Sequence, residues 1–110
     1  MKDEHFFEHV WEIARQVPKG RVTSYGAIAK VLGVGNLSRM VARAIGSCGN
    51  APTPVPYHRV VSSSGHLSGD PSSARKRQQM LEEEGLEISN LKIKNFRTVF
   101  WNPVTDLNYD

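Results

Sequence analysis

The sequence predicts a mainly α-helical domain with short β-strands and a helix-turn-helix pattern in its first half. Three observations carry this expectation. The first 47 residues contain three stretches with helical hydrophobic spacing, the first two closed by proline or glycine. A stiff segment, GNAPTPVP at residues 49–56, has three prolines in five positions and excludes a helix there. The rest of the chain alternates short apolar runs, turns and one further helical pattern.

Residues 5–17, HFFEHVWEIARQV, place Phe6, Val10, Ile13 and Val17 on one stripe with Phe7, Trp11 and Ala14 beside it, as a core helix requires. Pro18, Lys19 and Gly20 end it. The short RVT then leads to SYGAIAKVLG, a second helix capped by Thr23 or Ser24 and closed by Gly33. After the turn GVGN, with Asn36 as N-cap, LSRMVARAIGS forms a third helix with Leu37, Met40, Val41, Ala44 and Ile45 facing inward. Its outer face carries Ser38, Arg39, Ala42 and Arg43, two arginines at i and i+4 among small residues that permit close approach to a nucleic-acid backbone. Two short helices joined by a glycine-containing turn fit a DNA-binding motif, and they also fit many small helical domains.

HRVV at 58–61 reads as a short strand and SSSG as a turn. A helix is expected from Ser72 to about Glu84, with Ala74, Gln78, Met80 and Leu81 inward and Gly85 as its stop. The remainder mixes strand and turn signals with Phe96, Phe100 and Trp101 packing back on the core, and fraying is expected from Asn102 onward. The 110 residues suffice for one domain with one modest core, ordered over about 5–101.

Charge is segregated along the chain. No acidic residue lies between Glu12 and Asp70, a stretch that holds Arg15, Lys19, Arg21, Lys30, Arg39, Arg43 and Arg59. A basic face of this kind suits a polyanion, since each cation near a phosphate releases condensed counterions. Nothing resembles a signal peptide or a membrane span, so a soluble cytoplasmic protein without membrane association is expected. Cys48 is the sole cysteine, and with His5, His9 and His66 scattered, neither a metal site nor a cofactor is expected.

PVPYHRVV, residues 54–61, poses the chemical question. A histidine beside a reactive side chain suggests an activated nucleophile, yet a phenol ionises near pH ~10 and is a poor one at neutral pH. The segment is therefore either a damaged active site or a pocket that binds without reacting. The order TSYGAIA, SRMVARAIG, Asn50, PYHRVV, SSSG and EEEG resembles the C-terminal DNA-binding domain of the O6-alkylguanine-DNA alkyltransferases, over residues 5–101. In that family the motif is Pro-Cys-His-Arg-Val and the cysteine accepts the alkyl group. Tyr57 stands at the cysteine position, as an aromatic residue does in the alkyltransferase-like proteins, which usually carry tryptophan there.

The resemblance implies a winged helix-turn-helix-like single domain of the alkyltransferase C-terminal type, in a non-enzymatic, monomeric protein that binds double-stranded DNA containing O6-alkylguanine. It implies that the nucleotide is flipped into a pocket and the site flagged for nucleotide excision repair proteins. Arg39 would be the inserted finger, Tyr25 the tyrosine that turns the nucleotide, and Ser38 and Arg43 further DNA contacts. Tyr57, Pro56, Val60 and Ser63 would form the lesion pocket, with the backbone of 60–63 reading the base edge. Asn50, His58, Arg59 and Glu84 would be the scaffold, retained without a thiolate to activate. Cys48, nine positions before Tyr57 and without the flanking motif, reads as incidental. Many family members have a basic residue on the lid after the pocket strand. Here Asp70 lies near that place and Arg75 is the arginine assigned as nearest. Two rival functions are an alkyltransferase with an unforeseen nucleophile and a plain helix-turn-helix regulator of undamaged DNA.

Overall fold

The structure is a computed structural model that describes residues 5–34, 37–67 and 69–106. Helix α1 (Phe6–Gln16) buries Phe6, Val10, Trp11, Ile13 and Ala14, the face its spacing sets. The Trp11 indole N–H donates to the Ala44 carbonyl at 2.8 Å, which pins α1 to the third helix and satisfies a buried donor. Strand β1 (Thr23–Ser24) runs straight into α2 (Tyr25–Val31), and Ser24 is the cap: its hydroxyl accepts from the Ala27 N–H at 3.0 Å. Gly33, at φ +80°, turns the chain after α2.

Helix α3 (Ser38–Gly46) buries Val41, Ala44 and Ile45 against α1 and α2. Met40, expected inside, is 36% exposed, because the inward stripe narrows to one side of the helix where α1 and α2 meet it. The N-cap expected at Asn36 lies outside the described residues.

Strand β2 (Val60–Val61) pairs in parallel with β1, with Thr23 opposite Val60 and Ser24 opposite Val61. Side chains alternate across a strand, so Val60 enters the cluster under α1–α3 and Val61 enters a second cluster with Val22, Leu67, Ala74, Leu81, Leu86 and Ile93. The expected strand is shorter than HRVV, since residues 57–59 form a 3₁₀ turn. Helix α4 (Pro71–Glu83) starts one residue early. Asp70 caps it through the Ser73 N–H at 2.8 Å and Pro71 takes the first position, where a missing N–H costs nothing. Those hydrogen bonds hold the exposed Asp70 carboxyl below its usual pKa.

A hairpin of β3 (Ile88–Ser89) and β4 (Lys92–Ile93) forms the wing, turning through Asn90 and Leu91, both left-handed at φ 54° and 61°. After α5 (Phe96–Val99), the backbone around Val22 receives the chain: Val22 N–H donates to Val99 O at 3.0 Å and Trp101 N–H to Val22 O at 2.6 Å. The fraying expected from Asn102 does not begin there. Helix α6 (Pro103–Asp106) is capped by Asn102, whose side-chain oxygen accepts from Val104 N–H at 3.0 Å, and Pro103 is buried as α6 packs on α2. Among the described residues no helix is long and apolar enough to cross a membrane, and no cluster of three metal-ligating side chains occurs.

Candidate nucleic-acid interface and base pocket

The β1–β2 register decides what meets at the surface. Because Ser24 pairs with Val61, the next residues on each strand, Tyr25 and Ser62, emerge side by side. The N-terminal turn of α3 closes the same space, giving a cleft of about 280 Å³ lined by Tyr25, Gly26, Ser38, Arg39, Ala42, Ser62 and Ser63. Tyr25, Ser38 and Arg39, assigned to DNA contact from the sequence, thus converge. Arg39 and Arg43 are both exposed on the outer face of α3, with Arg43 one turn beyond the cleft.

Tyr57 is delivered by a tight backbone turn. Pro56 lies at φ −76°, ψ 70°, and the Tyr57 N–H donates to the Val55 carbonyl at 2.7 Å, an inverse γ-turn whose central φ proline sets in advance. Arg15 holds the preceding loop, donating to the Thr53 carbonyl at 3.0 Å and the Pro54 carbonyl at 3.3 Å. The Tyr57 ring borders a cavity of about 470 Å³ formed with Ile45, Cys48, Ser73, Lys76 and Arg77, within the size range of small-ligand sites. Its hydroxyl faces the Met80 sulfur at 3.6 Å.

The four residues of the expected pocket set fall in four different places. Of Tyr57, Pro56, Val60 and Ser63, only Tyr57 lines this cavity. Pro56 faces a neighbouring one of about 480 Å³ with Arg15, His58, Arg59 and Met80. Ser63 belongs to the cleft beside α3, since the parallel pairing sends the chain after Val61 toward Tyr25. Val60 is fully buried, and its carbonyl, expected to read a base edge, already accepts from Arg77 at 3.4 Å. Cys48, which sequence spacing set aside, lines the Tyr57 cavity because a 3₁₀ turn at Cys48–Asn50 folds back after α3. Burial pushes its thiol pKa up, while the Arg77 charge and a backbone hydrogen bond act the other way.

Arg77 is the residue the sequence reading missed. It is 9% exposed, its Cζ lies 5.3 Å from the Tyr57 ring centroid, and its Nη1 donates to the Tyr25 hydroxyl at 3.1 Å. One side chain thereby joins the cavity to the cleft. Arg75, assigned as the nearest arginine, is exposed instead. The signal was present in the spacing: 74, 77 and 81 share one helical stripe, the one on which Ala74 and Leu81 are buried.

The scaffold centres on Glu84. Arg59 reaches it with Nη2 at 2.7 Å and Nε at 3.1 Å, His58 Nε2 lies at 2.8 Å, and the Gly20 N–H donates at 2.9 Å. Gly20 can present that N–H because it sits at φ +84°, a region open to glycine. Burial alone would raise the Glu84 pKa, but these donors and the Arg59 charge overcome it and hold it near 2. Arg59 also donates to the Val17 carbonyl at 3.0 Å, fastening the end of α1. Asn50 stands apart from this cluster, exposed, with its backbone N–H on the Ser47 carbonyl.

Fold and site together define a helix-turn-helix protein with a basic outer helix and an adjoining cavity walled by an aromatic ring. The DNA-binding domain of 6-O-methylguanine DNA methyltransferase matches residues 5–86. A DNA base-flipping protein of Vibrio parahaemolyticus is 32% identical over 100 residues, covering 91% of this chain and 99% of that one. Alkyltransferase-like protein 1 of Schizosaccharomyces pombe is 32% identical over 109 residues, covering 94% and 100%. Among solved structures, S. pombe Atl1 in complex with damaged DNA containing O6-carboxymethylguanine superposes with a TM-score of 0.80 at 33% identity, covering 94% of this chain and all of that one. The chain belongs to the family of the 6-O-methylguanine DNA methyltransferase DNA-binding domain, in its alkyltransferase-like branch.

Proposed function

We propose that this protein recognises O6-alkylguanine in duplex DNA by flipping the nucleotide and holding it without chemistry. The observation that carries the reading is the placement of Tyr57 on the wall of a cavity tied through Arg77 to Tyr25, which itself shares a cleft with Arg39. Arg39 fills the stack the base leaves, Tyr25 crowds the backbone, and cationic contacts offset the few kcal/mol that flipping costs. The relatives are consistent with this: one is called a base-flipping protein, and another is solved on DNA with a carboxymethylated guanine. His58 and Glu84 remain as a brace, and a phenol stands where a thiolate would react. The complex is a monomer on DNA that hands the site to nucleotide excision repair proteins.

Arg39→Ala or Tyr25→Ala should weaken binding to an O6-methylguanine duplex about thirtyfold, about 2 kcal/mol, and Cys48→Ala far less. Equal affinity of wild type and Arg39→Ala for that duplex would overturn the flipping role. The position of Cys48 on the cavity wall favours a second reading, slow alkyl transfer to its thiol. A duplex carrying labelled O6-methylguanine separates the two: stoichiometric label on the protein assigns transfer, and label retained on DNA assigns recognition.

A further inference from the structure

The cavity beside Tyr57 contains a charge that none of the described residues neutralises. Buried arginines are normally matched by a carboxylate, because an unpaired buried cation is costly. Arg77 is 9% exposed, yet the ion pairs among the described residues join other groups: His5 with Glu8, Arg15 with Glu12, and Glu84 with His58 and Arg59. Its contacts are the Tyr25 hydroxyl, the Val60 carbonyl and the Tyr57 ring face, all uncharged, and its Nε has no hydrogen-bond partner among the described residues. A second cation, Lys76, and the Ser73 residue line the same space, and among the described residues the lining contains no carboxylate. Asp70, which begins the same helix, is turned to the helix end, where its Oδ1 accepts from the Ser73 N–H and the Ser72 hydroxyl, and Glu82, the acid nearest in sequence, is exposed and accepts from Gln78 Nε2 at 3.1 Å.

We propose that this cavity reads negative charge on the O6 substituent, holding an anionic alkyl group such as carboxymethyl in preference to a neutral group of the same size, through Arg77. The inference rests on the base-pocket reading above and names the lesion class that pocket favours. An apolar pocket would reject a carboxylate, since burying an unpaired anion costs more than stacking returns. Here the anion meets a guanidinium already stripped of most of its water and held in place by the Tyr57 face and the Tyr25 hydroxyl. Both partners gain the counter-charge they lack, through a charge-assisted hydrogen bond. A DNA phosphate could present the same chemistry to Arg77, and the test separates the two sources.

Affinities are measured for four duplexes of one sequence, bearing at one position O6-carboxymethylguanine, its neutral isostere O6-carbamoylmethylguanine, O6-methylguanine or guanine. Wild type should bind the carboxymethyl duplex about tenfold more tightly than the carbamoylmethyl duplex. Arg77→Gln should bring that ratio close to one, and Arg77→Lys, which keeps the charge, should retain most of it. Circular dichroism and thermal unfolding confirm that the variants compared are folded. A wild-type ratio near one, with lesions still preferred over guanine, overturns this inference alone. Equal losses in Arg77→Gln on all four duplexes, with the ratio preserved, assign Arg77 to a phosphate and overturn it too. Lesions bound no better than guanine would overturn the base-pocket reading beneath it.

Discussion

Removing the Glu84 charge should change how stability depends on pH in a way that can be worked out in advance. The Glu84 side chain is 9% exposed and its pKa is held at about 2 instead of the ordinary 4.5. Each tenfold in proton affinity is worth about 1.4 kcal/mol, so the depressed value corresponds to about 3 kcal/mol of stability. Because the folded pKa lies below the unfolded one, that stability is fully present above pH 4.5 and is lost as pH falls toward 2. Glu84→Gln leaves Arg59 and the Gly20 N–H without their anion and should cost about 3 kcal/mol at pH 7. Urea unfolding of both proteins from pH 7 to pH 3 provides the assay. The gap between wild type and Glu84→Gln should narrow by about 2 kcal/mol by pH 3. Parallel curves over that range would refute the assignment of Glu84 as a charged brace.

Two further outcomes follow from local geometry. Leu91 occupies a left-handed hairpin position, is 41% exposed, and bears a branched side chain that this conformation disfavours. Leu91→Gly should therefore raise stability by about 1 kcal/mol in urea unfolding, although it deletes a large apolar side chain; a loss would show that the Leu91 side chain packs in a way its exposure does not suggest. Tyr57→Phe removes a long hydroxyl–sulfur contact to Met80 and keeps the ring beneath Arg77, so lesion affinity should stay within about threefold of wild type, while Tyr57→Ala loses at least about tenfold. If Phe is as poor as Ala in fluorescence anisotropy, the hydroxyl itself reads the base.

The helical core was legible because its residues obey the apolar-inward rule: Phe6, Val10 and Ile13 on α1, and Val41, Ala44 and Ile45 on α3, are buried as their spacing requires. The Glu84 brace was legible only through family resemblance, since Gly20, His58, Arg59 and Glu84 are distant in the chain and no local pattern joins them. Arg77 escaped because an inward stripe is read from apolar residues, and a cation on that stripe looks like its edge. The Tyr57 cavity escaped in part because its walls come from four separate segments, whose meeting depends on the parallel β1–β2 register and the turn after α3. The terminal turn could have been seen: Asn102 and Pro103 are an N-cap and a first-turn proline, a start signal in a segment read as frayed.

The central claim is that this protein prefers a flipped, alkylated guanine and leaves it chemically unchanged. One measurement tests it most directly: equilibrium binding to a single O6-methylguanine duplex and its unmodified twin at fixed salt, with the lesion recovered and analysed afterward. The account predicts at least about tenfold tighter binding to the lesion duplex, abolished by Tyr25→Ala with Arg39→Ala, and O6-methylguanine recovered intact. Equal affinity for the two duplexes, or guanine recovered in place of the lesion, would contradict it.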